Sequence, residues 1–267
     1  MPEGDTVYRA ARLLAGAFDG TVLTRCDIRV PAFATVDLTG ETVSETVSRG
    51  KHLLMRVGEY TLHSHLKMEG VWQVCRPGER WRRPEFMARA ILGNDSVTAV
   101  GFELGLFEVV RTADEEEVVG HLGPDLLGPD WDPALATANL RRDPDREIGL
   151  ALLDQRNLAG LGNVYRAELC FLRGVPPTTP VREVDDLERM VALAKKLIEA
   201  NKDRSQRTTT GNLRGNTSWV YGRDGRPCLR CGTRVQRGQL GDTALQLRDT
   251  YWCPFCQRPP AERVVPG

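Results

Sequence analysis

These 267 residues lack any stretch near the roughly 20 consecutive apolar residues that a membrane span needs. The first helical run also carries charges where a signal peptide would be apolar, so the expectation is a cytoplasmic protein with no membrane partner. Net charge is missing too: 36 basic residues balance 36 acidic ones, and no overall field steers the chain toward a polyanion. A disulfide framework is excluded on different grounds. The seven cysteines are an odd number, and four of them form two C-x2-C pairs, a pattern of metal ligands. Histidine is scarce, with four residues; His63 and His65 alternate along one run with no metal partner in view and read as structural. What remains, 41% hydrophobic and 27% charged, is a globular chain long enough for one large domain or two ordinary ones.

The zero net charge conceals an asymmetry. Residues 201–267 hold twelve Lys and Arg against five Asp and Glu, a surplus of seven that residues 1–200 offset. A basic final third is the footprint of a phosphate-binding surface, while Asp114, Glu115, Glu116 and Glu117 are expected on a face turned away from it.

Periodicity divides the chain. Val7, Ala10, Ala11 and Leu14 recur at helical spacing, with Asp5 or Thr6 placed to cap that helix. From Thr21 to about Arg111, runs such as ETVSETVSRG, KHLLMRV, YTLHSHL, GVWQV, ARAIL and VTAVGF read as six or more strands of an antiparallel sandwich or barrel. Pro124, Pro129, Pro133 and Pro144 then punctuate a linker and short helices. ALLDQRNLAGLGNVYRAELCFLRGVPP reads as helix, glycine turns and helix, stopped by Gly174 and Pro176. One long amphipathic helix follows through Val184, Leu187, Val191, Ala194 and Ile198, and Lys202–Thr217 reads as a mobile loop. The fold expected is α+β and multidomain: 1–125 a leading helix with a β-sandwich, 126–222 helical, 223–267 a metal finger and tail.

The sharpest motif is Cys228-x2-Cys231, 21 residues, then Cys253-x2-Cys256. Two knuckles supply the four thiolates of a tetrahedral zinc ion, and with all four positions filled by protein the metal is structural. Gly238 and Gly241 are placed to turn the spacer as a hairpin carrying Arg234, Arg237 and Arg248, with Arg230 in the first knuckle. In LAGLGNVY, Gly160 and Gly162 allow close backbone approach and Asn163 opens a helix whose free N–H groups suit a phosphate. At the other end of the chain stands MPEGDT. Removal of Met1 would leave the Pro2 nitrogen a terminal secondary amine, titrating near ~8 and hence partly neutral and nucleophilic at physiological pH, with Glu3 beside it as a proton donor.

MPEG, LLDQRNLAGLGNVYRAE and TSWVYGRDGRPCLRCG with LRDTYWCPFCQR stand at the start, middle and end of the chain. Together they resemble the formamidopyrimidine-DNA glycosylase and endonuclease VIII family of base-excision repair enzymes. The resemblance implies a helix and β-sandwich, then a helix-two-turns-helix domain with a zinc finger, and damaged DNA bound in a cleft by a monomeric protein. It implies that Pro2 is the nucleophile and Glu3 the catalytic acid. Lys51 in SRGKHLL would contact DNA near the lesion, and Asn163 and Arg248 would grip phosphates flanking the flipped nucleotide. Met68 in HSHLKMEGVW would be the wedge that fills the vacated stack, with Lys67 and Glu69 sharing the task.

Two departures bear on substrate. Thr6 stands where the family often has glutamate, which puts any proton transfer there in doubt. GFELGLFEVV holds no arginine equivalent to the one that purine-acting members place against the opposite strand, which favours the endonuclease VIII branch and oxidised pyrimidines. Oxidised-purine or formamidopyrimidine specificity, and a catalytically silent damage-binding protein, stay open as alternatives. Cys26, Cys75 and Cys170 read as ordinary partly buried thiols.

Overall fold

The computed structural model describes residues 2–259 and divides after His121 into two compact units. The first begins with helix α1 (Gly4–Phe18), which buries Val7, Ala11, Leu14 and Phe18 on one stripe. Its N-cap is Glu3, not Asp5 or Thr6. Glu3 is extended at φ −128°, ψ −172°, and its carbonyl accepts the first amides of the helix, from Thr6 at 2.9 Å and Val7 at 3.1 Å. The Asp5 carboxylate instead lies inside the first turn and takes the Thr6 N–H at 2.8 Å.

Eight strands follow: β1 (Arg25–Ile28), β2 (Val43–Arg49), β3 (His52–Val57), β4 (Tyr60–His65), β5 (Val71–Cys75), β6 (Ala88–Gly93), β7 (Thr98–Phe102) and β8 (Leu106–Arg111). They form two antiparallel four-stranded sheets, ordered β1-β6-β7-β5 and β2-β3-β4-β8. Leu14 and Phe18 of α1, Leu53, Met55 and Leu62 of one sheet, and Trp72, Ala90 and Leu92 of the other share one core. Helix α1 packs on β2, β3 and β5, which fixes the start of the chain against the strands. The short helix α2 (Glu115–Val119) ends this unit, and its first residue is no idle surface charge. Glu115 pairs with Arg56 at 2.8 Å and its side chain is only 13% exposed.

The second unit holds α3 (Pro133–Arg141), α4 (Ile148–Ala151), α5 (Asn163–Arg173), α6 (Leu187–Asn201) and a two-stranded ribbon, β9 (Gln236–Leu240) with β10 (Arg248–Trp252). Leu152, Leu161, Tyr165, Leu169, Met190, Ala194 and Ile198 make its main core. Helix α5 ends where the sequence stops it, at Gly174 in the left-handed conformation with φ +66°. The ribbon matches the expected hairpin, but Gly238 does not turn it. It sits within β9 opposite Thr250, where a Cβ would stand 3.2 Å from the Trp252 ring; Gly241 starts the connection. Residues 202–217 form a loop without helix or strand, as expected, but one tied down by hydrogen bonds. The Asn201 side chain takes Thr208 N–H at 2.8 Å and donates to Thr208 O at 2.9 Å, and Thr209 N–H reaches back to Thr217 O at 2.8 Å. Among the described residues no helix is long and apolar enough to cross a membrane.

Candidate active site and nucleic-acid interface

In the first unit the chain start is built around a buried acid. Pro2 is partly exposed, and Glu3 behind it is fully buried at the N-terminus of α1, where the helix dipole favours a negative charge. Met1, whose removal the expected nucleophile would require, lies outside the described residues. Lys51 occupies the tip of the β2–β3 hairpin. Gly50 takes φ +60° there, closing a two-residue turn between the paired Arg49 and His52.

All four histidines gather behind that turn, a grouping the alternation of His63 and His65 only partly signalled. His52 stacks on His63 at 5.0 Å between centroids and meets His65 edge-on at 5.1 Å and His121 at 6.3 Å. His52 Nδ1 lies 2.8 Å from His63 Nε2, and His63 Nδ1 lies 2.7 Å from a Glu108 carboxylate oxygen. In the tautomer in which His63 Nδ1 donates to Glu108, His63 Nε2 accepts from His52, a chain running across β8, β4 and β3 to the residue after Lys51. Burial, reinforced by the neighbouring histidines and Lys51, holds His52 down to about 3; burial and the charges of Lys67 and Lys51 hold His65 down to about 4.

The turn Leu66–Gly70, between β4 and β5, carries Met68, the residue expected from the resemblance to act as a wedge. Lys67 is left-handed at φ +52°, a conformation few non-glycine residues adopt outside strained or functional turns. Met68 is 60% exposed. The turn is fastened from several sides: Lys67 N–H donates to His65 Nδ1 at 2.9 Å, Gly70 N–H to Leu66 O at 2.9 Å, and Arg83 Nη1 to Glu69 O at 2.9 Å. Arg83 also pairs with Glu103, itself left-handed at φ +47°, and Gly105 leaves room for the Lys67 stem that a Cβ would fill.

In the second unit, α4 and α5 flank the two turns at 152–162, with Gly160 at φ +111°. Asn163 starts α5, and its Nδ2 donates to Asp249 O at 2.8 Å, the residue after Arg248. Two residues that sequence reasoning passed over complete this joint. Arg166 is fully buried and donates to Asn163 Oδ1 and, at 2.9 Å, to Asp249 O. Glu168, also fully buried, accepts the amides of Trp219, Val220 and Tyr221 at 2.7, 2.9 and 2.9 Å, with Thr209 Oγ1 as a further donor. Two charged residues two apart within the buried stretch of α5 were the only signal available. Arg248 lines a cavity of about 310 Å3 with Arg146, Arg156 and Gln155; Arg146 is tied to Asp154 at 3.2 Å and Asp242 at 2.9 Å. Arg230 is exposed but lies over the Phe171 ring, 4.4 Å from its centroid, and that ring stacks on Trp219.

The four finger cysteines converge. Their sulfurs lie within 4.8 Å of one another, with Cys228–Cys256 at 3.9 Å and Cys231–Cys253 at 3.5 Å. Ligands about 2.3 Å from one tetrahedral ion stand ~3.8 Å apart, so the set fits a single Zn2+. Arg230 N–H points at Cys228 Sγ at 3.4 Å, as expected around a thiolate knuckle. Cys170 is of another kind, fully buried and pushed up to about 12 by burial, an inert thiol.

Residues 1–159 match the family model of the formamidopyrimidine-DNA glycosylase N-terminal domain, and residues 122–209 that of the formamidopyrimidine-DNA glycosylase H2TH domain. The chain is 60% identical over 267 residues to the probable endonuclease 8 2 of Streptomyces coelicolor, covering 98% of this chain and 96% of that one. It is 50% identical over 258 residues to the DNA-(apurinic or apyrimidinic site) lyase Nei2 of Mycolicibacterium smegmatis, covering 96% and 99%. Among solved structures it resembles MutM in complex with DNA containing carbocyclic 8-oxo-G, with a TM-score of 0.79 over 96% of this chain and 100% of that one. At 23% identity that likeness is one of fold.

Two outcomes follow from this geometry. Native mass spectrometry should find one zinc ion per chain, and chelation or Cys253→Ser should raise amide exchange across 223–257 while the strands between 25 and 111 keep their protection; equal loss in both would show that the metal supports the whole molecule. The histidine cluster should make the fold acid-sensitive. Unfolded histidines titrate near 6.5, whereas His52 and His65 stay neutral in the fold down to about 3 and about 4. Below 6.5 the unfolded chain therefore binds more protons, and stability falls as pH drops from there toward 4. Urea midpoints at neutral and mildly acidic pH should differ less in His52→Gln than in the parent; an unchanged difference would remove His52 from the account.

Proposed function

The chain belongs to the formamidopyrimidine-DNA glycosylase family, and from that premise we propose that it is a DNA glycosylase and AP lyase of the endonuclease VIII branch. It excises oxidised bases, pyrimidines foremost, through a Schiff base on Pro2. The observation that carries the reading is the chain start: an accessible Pro2 joined to a fully buried Glu3 at the N-terminus of a helix clamped on β2 and β3, the strands that flank Lys51. A docked helix leaves a terminal amine little freedom to fray, which is what a nucleophile needs.

The protein acts as a monomer on damaged duplex. Lys51, Asn163, Arg230 and Arg248 contact the backbone, and Met68 with Lys67 fills the stack once the damaged nucleotide turns out. Zinc holds the finger's shape and takes no part in the reaction. The Pro2 nitrogen forms a bond to the sugar C1′, the bond to the damaged base breaks with its electron pair leaving on the base, and the amine's own proton passes to the departing base. A proton from Glu3 reaches the ring oxygen as the C1′–O4′ bond opens, leaving a cationic iminium. The iminium acidifies C2′. Loss of that proton sends an electron pair toward the cation and expels the 3′ phosphate, and a second elimination expels the 5′ phosphate.

Substrate choice rests on the turn at 103–105. It offers Glu103 and a nearly buried Leu104 where a purine-acting enzyme would present an arginine, and Glu103 is already engaged by Arg83. This arrangement supports pyrimidine lesions.

Borohydride should trap processed protein, lacking Met1, on an oligonucleotide with an abasic site. Pro2→Gly, or retention of Met1, should lower trapping by two orders of magnitude or more, in proportion to the loss of the nucleophile. Processed protein that binds the duplex without forming the adduct would leave a silent damage-binding protein. In competition, duplexes carrying an oxidised pyrimidine should be cut before those carrying an oxidised purine or a formamidopyrimidine; the reverse order would move the chain to the purine-acting branch.

A further inference from the structure

We propose that the loop joining β5 to β6 is a second DNA-backbone site, in which Arg80 and Arg82 bind phosphates beside the wedge turn. The inference rests on the reading of this chain as a DNA-binding enzyme and adds an element that none of the sequence motifs indicated.

The loop is built, not slack. Arg76-Pro77-Gly78-Glu79 forms a tight turn with Gly78 at φ +79°, closed by Glu79 N–H to Arg76 O at 3.0 Å. Trp81 then packs edge-on against the buried Phe102 ring at 5.9 Å, and Arg82 N–H donates to the buried Gln73 side chain at 3.0 Å. With Trp81 turned inward, its two neighbours in sequence stand exposed on either side.

Their charge is uncommitted. Arg25, Arg29, Arg56 and Arg83 of the same unit are all ion-paired. The two acids of the loop are in use: Glu79 takes Arg76 N–H at 3.1 Å, and Glu85 pairs with Arg29 at 2.8 Å. Among the described residues no carboxylate lies within ion-pair distance of Arg80 or Arg82. Together with Trp81, Arg83 and the already engaged Glu79 and Glu85 they line a concave surface. Two unpaired guanidinium groups held by a rigid loop form an anion site of the kind that backbone phosphates fill, because the fork geometry matches phosphate oxygens.

The place of the loop selects the ligand. Arg83, the next residue, reaches across to Glu69 O at 2.9 Å and so joins this loop to the turn that exposes Met68. An apolar side chain that enters a duplex brings its surroundings against the flanking backbone, and Arg83 ties the loop that carries Arg80 and Arg82 to that turn.

The test is the salt dependence of binding to a duplex carrying a tetrahydrofuran abasic analogue, measured by fluorescence anisotropy. Arg80→Ala with Arg82→Ala should weaken binding roughly tenfold and reduce the slope of log affinity against log salt by about 1.8, close to 0.9 for each phosphate that is no longer neutralised. The double lysine variant, which keeps both charges, should restore most of the slope. Methylphosphonates placed one at a time should locate the two phosphates next to the lesion. An unchanged slope in the alanine variant overturns the site, as does an equal loss in the lysine variant or a pair of phosphates mapped away from the lesion. A parent protein with no salt-dependent binding would instead remove the DNA reading itself.

Discussion

Helix α5 buries an arginine and a glutamate two residues apart and gives both to the backbone of later segments. Arg166 holds Asp249 O of the finger ribbon, and Glu168 gathers three consecutive amides at 219–221. Each is fully buried. Charges removed from water this completely are tolerated only when hydrogen-bonded, and loss of one partner costs on the order of 3–5 kcal/mol. Local sequence does not make the finger a part of this unit; these two side chains and a shared core do. Ala167 and Phe171 of α5 pack with Val220, Cys228, Val235 and Cys253, so the metal knuckles rest on the same helix whose first residue is Asn163. Asn163 and the Arg248–Asp249 step are consequently held in register, as two groups proposed to bind one DNA backbone must be.

The first unit solves a comparable problem by strain. Lys67 and Glu103 both occupy left-handed conformations that cost of order 1 kcal/mol or more for residues with side chains. Gly105 makes room for the Lys67 stem, Arg83 ties Glu103 to the backbone of Glu69, and Met68, between Lys67 and Glu69 in sequence, is displayed to solvent. A flexible turn would collapse Met68 onto the sheet, because burying that side chain is worth roughly 1.5–3 kcal/mol. The fastenings around the turn oppose that collapse, which is intelligible if the side chain is kept for another partner.

Much of this architecture was legible from residue order. The helix, six of the eight strands, the glycine stop after α5 and the four-cysteine cluster follow from periodicity and from residues with narrow roles, since glycine at positive φ and paired cysteines have few other uses. The illegible parts were the long-range ones. Glu3 caps α1 through its carbonyl, a function any residue can serve, so the side-chain preference for Asp5 misdirected the reading. Gly238 lies under Trp252 because of ribbon packing, not turn formation. Lys202–Thr217 is a loop, as its lack of periodicity indicated, but its fastenings were hidden because they join Asn201 and Glu168 to threonines up to 41 positions away. The histidine chain stayed hidden for the same reason: His52, His63 and Glu108 meet only once β3, β4 and β8 are in register.

The candidate site was legible as a list of residues and not as a physical arrangement. Pro2 alone is an ordinary second residue, and nothing within its hexapeptide distinguishes a nucleophile from a coincidence. What distinguishes it is the state of its neighbour. Glu3 is fully buried at the first step of a helix that it caps only through its carbonyl, its side chain making no capping hydrogen bond, so helix capping does not account for an acid there. Surface placement would make it one more solvated carboxylate. Its burial directly behind a partly exposed Pro2 is the arrangement that the proposed proton transfer to a bound sugar would require, and under that proposal the rigidity of α1 on β2 and β3 is a condition of the chemistry and not only of the fold.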